Sequence, residues 1–379
     1  MAPHSDTETD TDADLEQFTA RAREWLAAHA REAPPNYGAI VPPELVDAAK
    51  VWQGQLHAAG FAGIHWPAEH GGRGLTVAHT AAWSAACAEV NVPAFLNMVG
   101  HVLTAGSLLA FGTPEQQHRF LPGIASGAEV WCQLFSEPGA GSDLASLATT
   151  ATRDGDAWVL QGQKVWCSNG RVADFGICLA RTRSVHDAPK HKGISFFLVP
   201  MHAPGVQVRI LRQMTGGSEF DEVFLDEVRI PADALLGPEH EGWSVAMATL
   251  TNERGHIGSM NKTIQKQVTA MAAGLDASDP VLRQRVVELV VRGRTLVALG
   301  SRQGPVASVA SSLAKLGVTE LLFDAAVLRA DLAGPFGMLQ GPVADGLLGA
   351  PGGRIAGGTT QVQKNIIAER ILGLPKDPT

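Results

Sequence analysis

The 379-residue sequence has few cysteines, few charged residues and no excess of positive charge. Its four cysteines show neither a CxxC pair nor a metal-ligand spacing, which excludes a zinc ribbon or a disulfide scaffold and predicts buried free thiols: Cys87, Cys132, Cys167 and Cys178. The formal net charge of -8 argues against a nucleic-acid-binding protein, which is normally basic. No apolar run is long and uncharged enough to cross a bilayer, so we expect no membrane partner.

The sequence also lacks the marks of a targeting segment and of a Rossmann fold. Residues 1–13 are acidic and rich in Thr, without the basic start and apolar stretch of a secretory signal, and we expect a disordered tail. Together with the cysteine usage, this composition predicts a cytoplasmic protein. No GxGxxG follows a strand pattern, which argues against a dinucleotide site of the Rossmann type.

Hydrophobic periodicity divides the chain into helical, β-rich and helical parts. Apolar residues recur at helical spacing through residues 14–128, which predicts an N-terminal helical domain. Short β-rich runs between turn residues over 129–236 predict a central barrel or sandwich. Helical spacing returns over 237–379. The pattern therefore predicts an α+β protein of three domains after the tail.

Local signals place several elements. Thr113-Pro114-Glu115-Gln116 is a strong helix start, because Thr113 can cap, Pro114 suits the first turn and Gln116 completes a capping box. In the same way, Thr360 and Gln363 predict a capping box for the last helix. Pro351-Gly352-Gly353 predicts a break between helices, because proline and glycine disfavour a helix interior. The sequence predicts strands at Ala157–Leu160, Gly176–Ala180, Ile194–Val199, Val206–Ile210 and Glu222–Ile230.

Two nearby segments carry the chemical signal, WCQLFSEPGAGSD at 131–143 and KVWCSNG at 164–170. The small residues 139–142 let backbone N–H groups approach a flat or anionic ligand closely. On a strand, the side chains of Trp166 and Ser168 share one face. An aromatic ring with the hydroxyls of Ser136 and Ser168 suits an isoalloxazine, which is apolar across its faces and polar along one edge.

These segments, in this order, resemble the flavin-binding middle part of acyl-CoA dehydrogenases. The resemblance extends over about residues 15–375 and rests on seven motifs in family order: GTPEQ at 112–116, FSEPGAGSDLA at 135–145, GQKVWCSNG at 162–170, GISFFLVP at 193–200, FDEVFLDEVRIP at 220–231, GWSVAMATLTNERG at 242–255 and GGTTQVQKNIIAERILGLP at 357–375. It implies the family fold, with a C-terminal four-helix bundle. It also implies bound FAD, a tetramer and oxidation of an acyl thioester to its α,β-enoyl form, with electrons passing to an acceptor such as an electron-transfer flavoprotein.

The resemblance also assigns candidate site residues. The positions that match the family's flavin site are Phe135, Ser136, Gly141, Ser142, Trp166 and Ser168, with Thr359 and Gln361 from the C-terminal region. Arg254 resembles a residue near the CoA end of the substrate site, where a fixed positive charge suits phosphate. The Gly357 N–H is a candidate to hold the thioester oxygen as enolate charge develops.

The catalytic base is the main departure from the common family pattern. In much of the family the base is a Glu just before the Gly-Thr of the C-terminal motif, but that position here is Gly357. A second branch carries the base on a helix, immediately before an arginine, and the matching residue is Glu253. We therefore expect Glu253 to remove the α-proton, a role that a dry, apolar pocket favours by raising the pKa of a carboxyl group.

A second departure concerns the cofactor diphosphate. The family's Arg-x-x-Phe-Gly segment after the base helix is absent, and Gly334 and Gly337 are only weak matches to its glycine-rich cofactor loop. Several arginines in roughly that stretch are candidate replacements for the missing cation: Arg283, Arg285, Arg292, Arg294 and Arg302. These changes leave open a homotetramer or a mixed oligomer.

Alternative functions remain at this point. The same fold is compatible with a flavin monooxygenase or oxidase of secondary metabolism, with an acyl-carrier-protein thioester in place of acyl-CoA, or with a non-catalytic partner subunit that completes the site of another chain. The intact SEPGAGSD and Trp166/Ser168 segments argue against the non-catalytic subunit, because such a chain has no need of a flavin surface.

Overall fold

The structure is a computed structural model that describes residues 6–259, 279–300 and 307–375, with side chains placed in 14–251, 279–299 and 311–375. The described chain forms two units. The first comprises the residues up to Arg212 together with Ser218–Thr249, and the second comprises Gln213–Gly217 and the residues from Leu250 onward. The predicted α+β class is confirmed, with helical segments before and after a central sheet. The domain boundaries predicted from the sequence remain predictions.

The first unit begins with helices that pack around aromatic side chains. The helices are α1 Asp6–His29, α2 Val46–Ala58, α3 Val77–Val90, α4 Ala105–Phe111 and α5 Pro114–Ser126, and a π-helix over Val99–Thr104 leads directly into α4. The predicted start of α5 is confirmed, because the Thr113 hydroxyl accepts from Gln116 N and the Gln116 side chain accepts from Thr113 N. Trp52 and Trp83 are buried in the core of these helices, where Phe61 stacks on Trp83.

The central part of the first unit is a seven-stranded sheet. Its strands are β1 Trp131–Leu134, β2 Thr150–Asp154, β3 Ala157–Ser168, β4 Phe175–Arg181, β5 Ile194–Pro200, β6 Val206–Leu211 and β7 Phe220–Pro231. The strand order is β1-β4-β2-β3-β7-β6, with β5 paired to β4. All five strand segments predicted from the sequence are strands in the structure.

The sheet buries a continuous apolar core on one face. Cys132 and Leu134 of β1 enter this core beside Trp158 and Phe197. The opposite face of β1 carries Trp131, whose ring stacks on Phe175 and meets Phe120 of α5 edge to face. The four cysteines are buried and free, as predicted.

The second unit is helical. Its helices are the end of α6 Gly242–Ser259, then α7 Pro280–Gly300, α8 Ala307–Ala333, α9 Pro342–Ile355 and α10 Thr360–Arg370. Val286 and Leu289 of α7 pack on Val318, Leu321 and Leu328 of α8. The three α8 residues recur at helical spacing and therefore lie on one buried face. Within the described ranges no helix has the length and hydropathy to span a membrane.

One predicted break is wrong. Pro351-Gly352-Gly353 does not interrupt the helices, because α9 continues through Pro351 to Ile355. Pro351 is the tenth residue of this helix, so it removes one backbone hydrogen bond without ending the helix. The turn at Gly334–Met338 does interrupt the helices, as a short 3₁₀ segment between α8 and α9.

Candidate functional site

The SEPGAGSD segment (residues 136–143) follows β1 and is held against β3. The carbonyl of Ser136 accepts a hydrogen bond from Val165 N at 2.9 Å. Reciprocal backbone hydrogen bonds between Glu137 and Ala140 close a tight turn. A Cβ at Gly139, within the turn, or at Gly141, just after it, would meet no atom within 4 Å, so the backbone at both positions is open to a ligand. Gly141 and Ser142 are both exposed.

A buried ion pair, not foreseen from the sequence, fixes this segment on the sheet. Lys164 of β3 is 0% exposed and Glu137 is 7% exposed, and the Lys164 ammonium donates to a Glu137 carboxylate oxygen at 2.8 Å. The ammonium also donates to the carbonyls of Phe135 and Leu179. The second Glu137 oxygen accepts from Ala148 N, so both charges are fully hydrogen-bonded. Lys164 follows Gln161-Gly162-Gln163, so no local signal in the sequence marks it as buried.

These contacts set the ionisation of Glu137. Burial by itself raises the pKa of the carboxyl group, but the Lys164 charge and the hydrogen bonds from Thr149 and Ala148 outweigh it, so the pKa of Glu137 lies below its usual value. The carboxylate therefore stays charged at neutral pH and acts as a fixed anchor. It is a structural anion and not a proton acceptor.

Trp166 lies at a β-bulge. Lys164 pairs with Val223 and Cys167 pairs with Asp221, so β3 carries one residue more than β7 between these two pairs. Trp166 has a φ of 61°, in the left-handed region. Its indole is 56% exposed and meets the ring of Phe220 edge to face at 5.9 Å. A large apolar side chain this exposed, in a strained backbone position, indicates a ligand-contacting surface.

The bulge interrupts the regular alternation of side chains along β3 around Trp166. A regular strand, as expected from the sequence, would put the buried Lys164 on the same face as the exposed Trp166. The extra residue lets Lys164 and Cys167 both point into the sheet while Trp166 is exposed and Ser168 is half-buried. That the indole and the Ser168 hydroxyl share one face remains a prediction.

The structure thus groups most of the predicted flavin positions of the first unit. Ser136 is joined to β3 one residue before Trp166, and Ser168 follows two residues after it. Phe135 differs, because its ring is buried edge to face against Phe196 and does not face outward. An exposed indole, two half-buried hydroxyls and an open glycine loop match a flat ring with one polar edge, so the residues fit a flavin.

In the second unit, the GGTTQ motif forms a tight glycine turn into α10. Gly357 and Gly358 have φ of 65° and 96°, a conformation that glycine adopts without strain. The predicted capping box is wrong by one residue: Thr359, and not Thr360, caps the helix, and its hydroxyl accepts from Val362 N. Gln363 turns back to donate to the Gly357 carbonyl at 2.9 Å. Gln361 is exposed, and Thr359 and Gly357 are half-buried.

Two charged side chains of α8 hold this turn, and the sequence analysis missed both. Lys315 is 0% exposed and donates to the carbonyls of Arg354 and Gly358, at 3.2 and 2.6 Å. Glu320 accepts from Thr360 Oγ1 at 3.0 Å and pairs with the guanidinium of Arg354. Burial raises the pKa of Glu320, but the hydrogen bonds from Arg354 and Thr360 outweigh this effect, so the pKa lies below its usual value. The turn is therefore clamped from one helix.

The predicted base lies on α6. Glu253 and Arg254 are helical residues in the second half of α6, and their side chains lie outside the described residues. Among the candidate diphosphate cations, Arg285 and Arg292 form ion pairs with Asp331 and Asp324 of α8. Arg294 is exposed, and Arg302 lies outside the described residues. Both ion pairs are partly exposed, but each guanidinium already has a carboxylate partner, which weakens the case for Arg285 and Arg292 as replacements.

Three family models match the chain in succession. They are the N-terminal domain of acyl-CoA dehydrogenases over residues 12–128, the middle domain over 132–228 and the C-terminal domain over 240–372. The chain is 40% identical to the acyl-CoA dehydrogenase IpdE1 of Mycobacterium tuberculosis (strain ATCC 25618 / H37Rv), over 96% of this chain and 99% of that protein.

Solved structures give the same result. The Tcur3481-Tcur3483 steroid ACAD superposes with a TM-score of 0.80 and 25% identity, over 96% of this chain and 98% of that chain. The ChsE4-ChsE5 complex from Mycobacterium tuberculosis superposes with a TM-score of 0.78 and 27% identity, over 96% and 98% of the two chains.

Proposed function

This chain belongs to the acyl-CoA dehydrogenase family, and from that premise we propose that it removes two hydrogens across the α,β-bond of an acyl-CoA thioester with FAD as cofactor. The observation that carries the proposal is the exposed indole of Trp166 on its bulge, with the half-buried Ser136 joined to the adjacent Val165 and the half-buried Ser168 two residues further along β3. This surface suits the flat, polar-edged ring of a flavin.

Each unit carries residues that we assign to cofactor binding. Ser136, Trp166 and Ser168 would contact the ring, and the open backbone of Gly141 and Ser142 would approach the polar part of the cofactor. Thr359, as a helix cap, leaves its hydroxyl proton available to a ligand, and Gln361 is exposed beside it. Phe135 would support the site from the core. Bound FAD supplies the hydride acceptor, N5 of its ring.

The proton chemistry would belong to the second unit. We assign removal of the α-proton to the carboxylate of Glu253, because Gly357 occupies the position of the common base and has no side chain. The Gly357 N–H would hold the thioester oxygen as negative charge grows, and the turn that carries it is rigidly clamped by Lys315. Arg254 would bind phosphate at the CoA end.

The assembly that we propose is an oligomer, either a homotetramer or a mixed one. A mixed oligomer draws support from the missing Arg-x-x-Phe-Gly segment, and one of the similar solved structures is a complex of two named chains, ChsE4 and ChsE5. We further propose acyl-CoA over an acyl-carrier-protein thioester as substrate and an electron-transfer flavoprotein as acceptor. The four buried free thiols suit the reducing cytoplasm.

The test begins with the spectrum of the chain purified alone. Stoichiometric FAD is the expected result, followed by anaerobic bleaching of the flavin when an acyl-CoA is added. A colourless chain that gains flavin only with a partner would instead identify a subunit of a mixed oligomer. Oxygen consumption by the reduced enzyme, without formation of an enoyl product, would support the monooxygenase and contradict the proposal.

A further inference from the structure

Several buried polar atoms described in the first unit have no hydrogen-bond partner, and two of them belong to segments that contact each other. These two are the hydroxyl oxygen of Thr104, a residue that is 0% exposed, and the amide nitrogen of Gln133 on β1. Nearby hydroxyls on helices are satisfied: Ser107 donates to the Leu103 carbonyl, and Thr249 donates to the Val245 carbonyl. Because an unpaired buried polar group is costly, the exceptions at Thr104 and Gln133 need an explanation.

The segment that carries Thr104 runs alongside β1 in the same direction. At its start, Asn97 donates to the Trp131 carbonyl at 2.9 Å, and a Cβ at Gly100 would lie 3.7 Å from the Trp131 ring. At its end, Phe111 lies 3.7 Å from a Cβ built at Gly237. The neighbouring Leu236 donates to the Phe196 carbonyl, and the Phe196 ring contacts Phe135 just beyond β1.

This alignment places Thr104 beside Gln133. Thr104 is four residues after Gly100, about one turn of the π-helix, and therefore lies on nearly the same helical face. Gln133 is two residues after Trp131, about 6.6 Å further along β1 and on the same strand face. That face is opposite to Cys132 and Leu134, which enter the sheet core. It continues directly into Phe135 and the SEPGAGSD segment.

The backbone of this segment also departs from regular geometry. Residues Val99–Thr104 form a π-helix, which is rare and concentrates at functional sites because it widens the helix and shifts backbone hydrogen bonds.

We propose that Thr104 and Gln133 form a specificity subsite that hydrogen-bonds an oxygen atom carried by the acyl group. The substrate would then be an oxygenated acyl thioester, with a ketone or hydroxyl on its carbon skeleton, and not a plain hydrocarbon chain. This inference rests on the proposed function and adds the substrate class. Gln133 Nε2 is a donor only, and the Thr104 hydroxyl can turn to donate, so a ketone oxygen fits both groups.

The expected discrimination is large, because a hydrocarbon in the same place leaves both donors unpaired. Sites built to hydrogen-bond a polar group reject the analogue that lacks it strongly, and for two neutral donors we expect roughly 10²-fold weaker binding of the hydrocarbon. If an ordered water bridges the two side chains instead, the ketone and hydrocarbon ligands should bind with equal Kd.

The test compares ligands that differ in one carbonyl. The ligands are the enoyl-CoA products of cyclohexylpropanoyl-CoA and of its ring-ketone isomers, and their Kd values with the flavin-loaded enzyme are measured by calorimetry. We expect at least one ketone isomer to bind ~10²-fold more tightly than the ring-methylene compound. Thr104→Val and Gln133→Met should each reduce this ratio to below about tenfold, because each variant loses a hydrogen bond to the ketone and no longer leaves a donor unpaired beside the methylene compound.

Control variants and separate readouts keep the result unambiguous. Ser107→Ala removes a hydroxyl on the same helix that already has partners, and it should keep the ketone preference. Equal Kd values for all ketone isomers and the methylene compound, or a preference that survives both variants, would overturn the subsite. If Gln133→Met loses flavin but still binds the ketone more tightly than the methylene compound, Gln133 is not part of the subsite. Absence of flavin bleaching by any acyl-CoA in the wild type contradicts only the proposed function, because the Kd values do not depend on turnover.

Discussion

The Lys164 ammonium lies 2.8 Å from a carboxylate oxygen of Glu137, and neither side chain is open to solvent. The pair joins the second residue of the SEPGAGSD segment to the middle of β3, two residues before Trp166. It also uses the carbonyls of Phe135 and Leu179, so one ammonium group ties together three strands or their ends. The ligand-facing loop is therefore anchored by a charge that never contacts the ligand.

Breaking this pair should strongly destabilise the protein. Glu137→Gln or Lys164→Met leaves one buried charge without its partner, and we expect a loss of about 3–5 kcal/mol in the free energy of unfolding. Urea unfolding followed by fluorescence measures it. The chain offers a matched control in Asp143, whose ion pair with Lys190 is more than half exposed, and Asp143→Asn should cost about 0–1 kcal/mol. Equal losses for both variants would contradict the anchoring role.

The same pair predicts a dependence of stability on acid. The pKa of Glu137 is lowered in the folded chain relative to its usual value of 4.5, so the folded state binds this proton less tightly than the unfolded state. Its contribution to stability is complete above that usual value and is lost as the pH falls through the lower, folded pKa. The wild-type unfolding free energy minus that of Glu137→Gln should therefore shrink below about pH 4.5. A difference that stays constant down to about pH 3 would refute it.

Replacement of the proposed base should separate chemistry from cofactor binding. Glu253→Gln keeps the size of the side chain but removes the proton acceptor, so flavin reduction by an acyl-CoA should slow by roughly 10²–10⁴. The flavin content should stay at the wild-type level. Anaerobic stopped-flow absorbance measures the rate. Glu288→Gln, an exposed glutamate of α7, is the control and should bleach as the wild type does. Wild-type bleaching in Glu253→Gln would end the assignment.

Trp166 should matter for the flavin more than for the fold. Because its indole is 56% exposed, Trp166→Gly removes little buried surface and relieves the positive φ, so the unfolding free energy should change by less than about 1 kcal/mol. Loss of one ring contact should weaken FAD binding by roughly 3–10-fold. Equilibrium dialysis of FAD checks this, with the exposed loop residue Val185 replaced by Ala as control. Unchanged FAD affinity would remove Trp166 from the flavin site.

Lys315 should act as a positioning residue. Lys315→Met leaves the carbonyls of Arg354 and Gly358 without a donor and should cost about 1–3 kcal/mol of stability. If the Gly357 turn holds the thioester oxygen, kcat should fall while KM changes little, because the contact strengthens as enolate charge grows. Steady-state kinetics separates the two parameters. The exposed Lys364→Met is the control, and an equal fall in kcat there would argue for a general charge effect.

Sequence reasoning predicted elements better than it predicted their details. The strand segments and the α5 start followed from local signals, because alternation and capping act within a few residues. The bulge at Trp166 did not follow from local signals, because it depends on the register between β3 and β7, whose residues are more than fifty positions apart in the sequence. The choice of Thr359 over Thr360 as helix cap was equally hidden. Two adjacent threonines cap alike, and Glu320 of α8 decides by taking the second hydroxyl.

The clamps were missed for a related reason. Glu137 and Lys164 are twenty-seven residues apart, and Lys315 lies more than forty residues before Gly358. Neither spacing marks a contact in a single sequence. The candidate ligand positions were found because a motif keeps them together, whereas the side chains that hold those positions come from other elements. Lys315, which lies between Ala314 and Leu316, at least has apolar neighbours on both sides, whereas Lys164 follows a glutamine.

The exposure of Trp166 has an optical consequence. The chain has eight tryptophans, and the other seven are buried or half-buried. A dissolved quencher such as acrylamide would therefore reach this indole first, and its emission should be the most red-shifted of the set. Any molecule that covers the bulge would shield that emission, so the chain carries an intrinsic fluorescent reporter of occupancy at this surface.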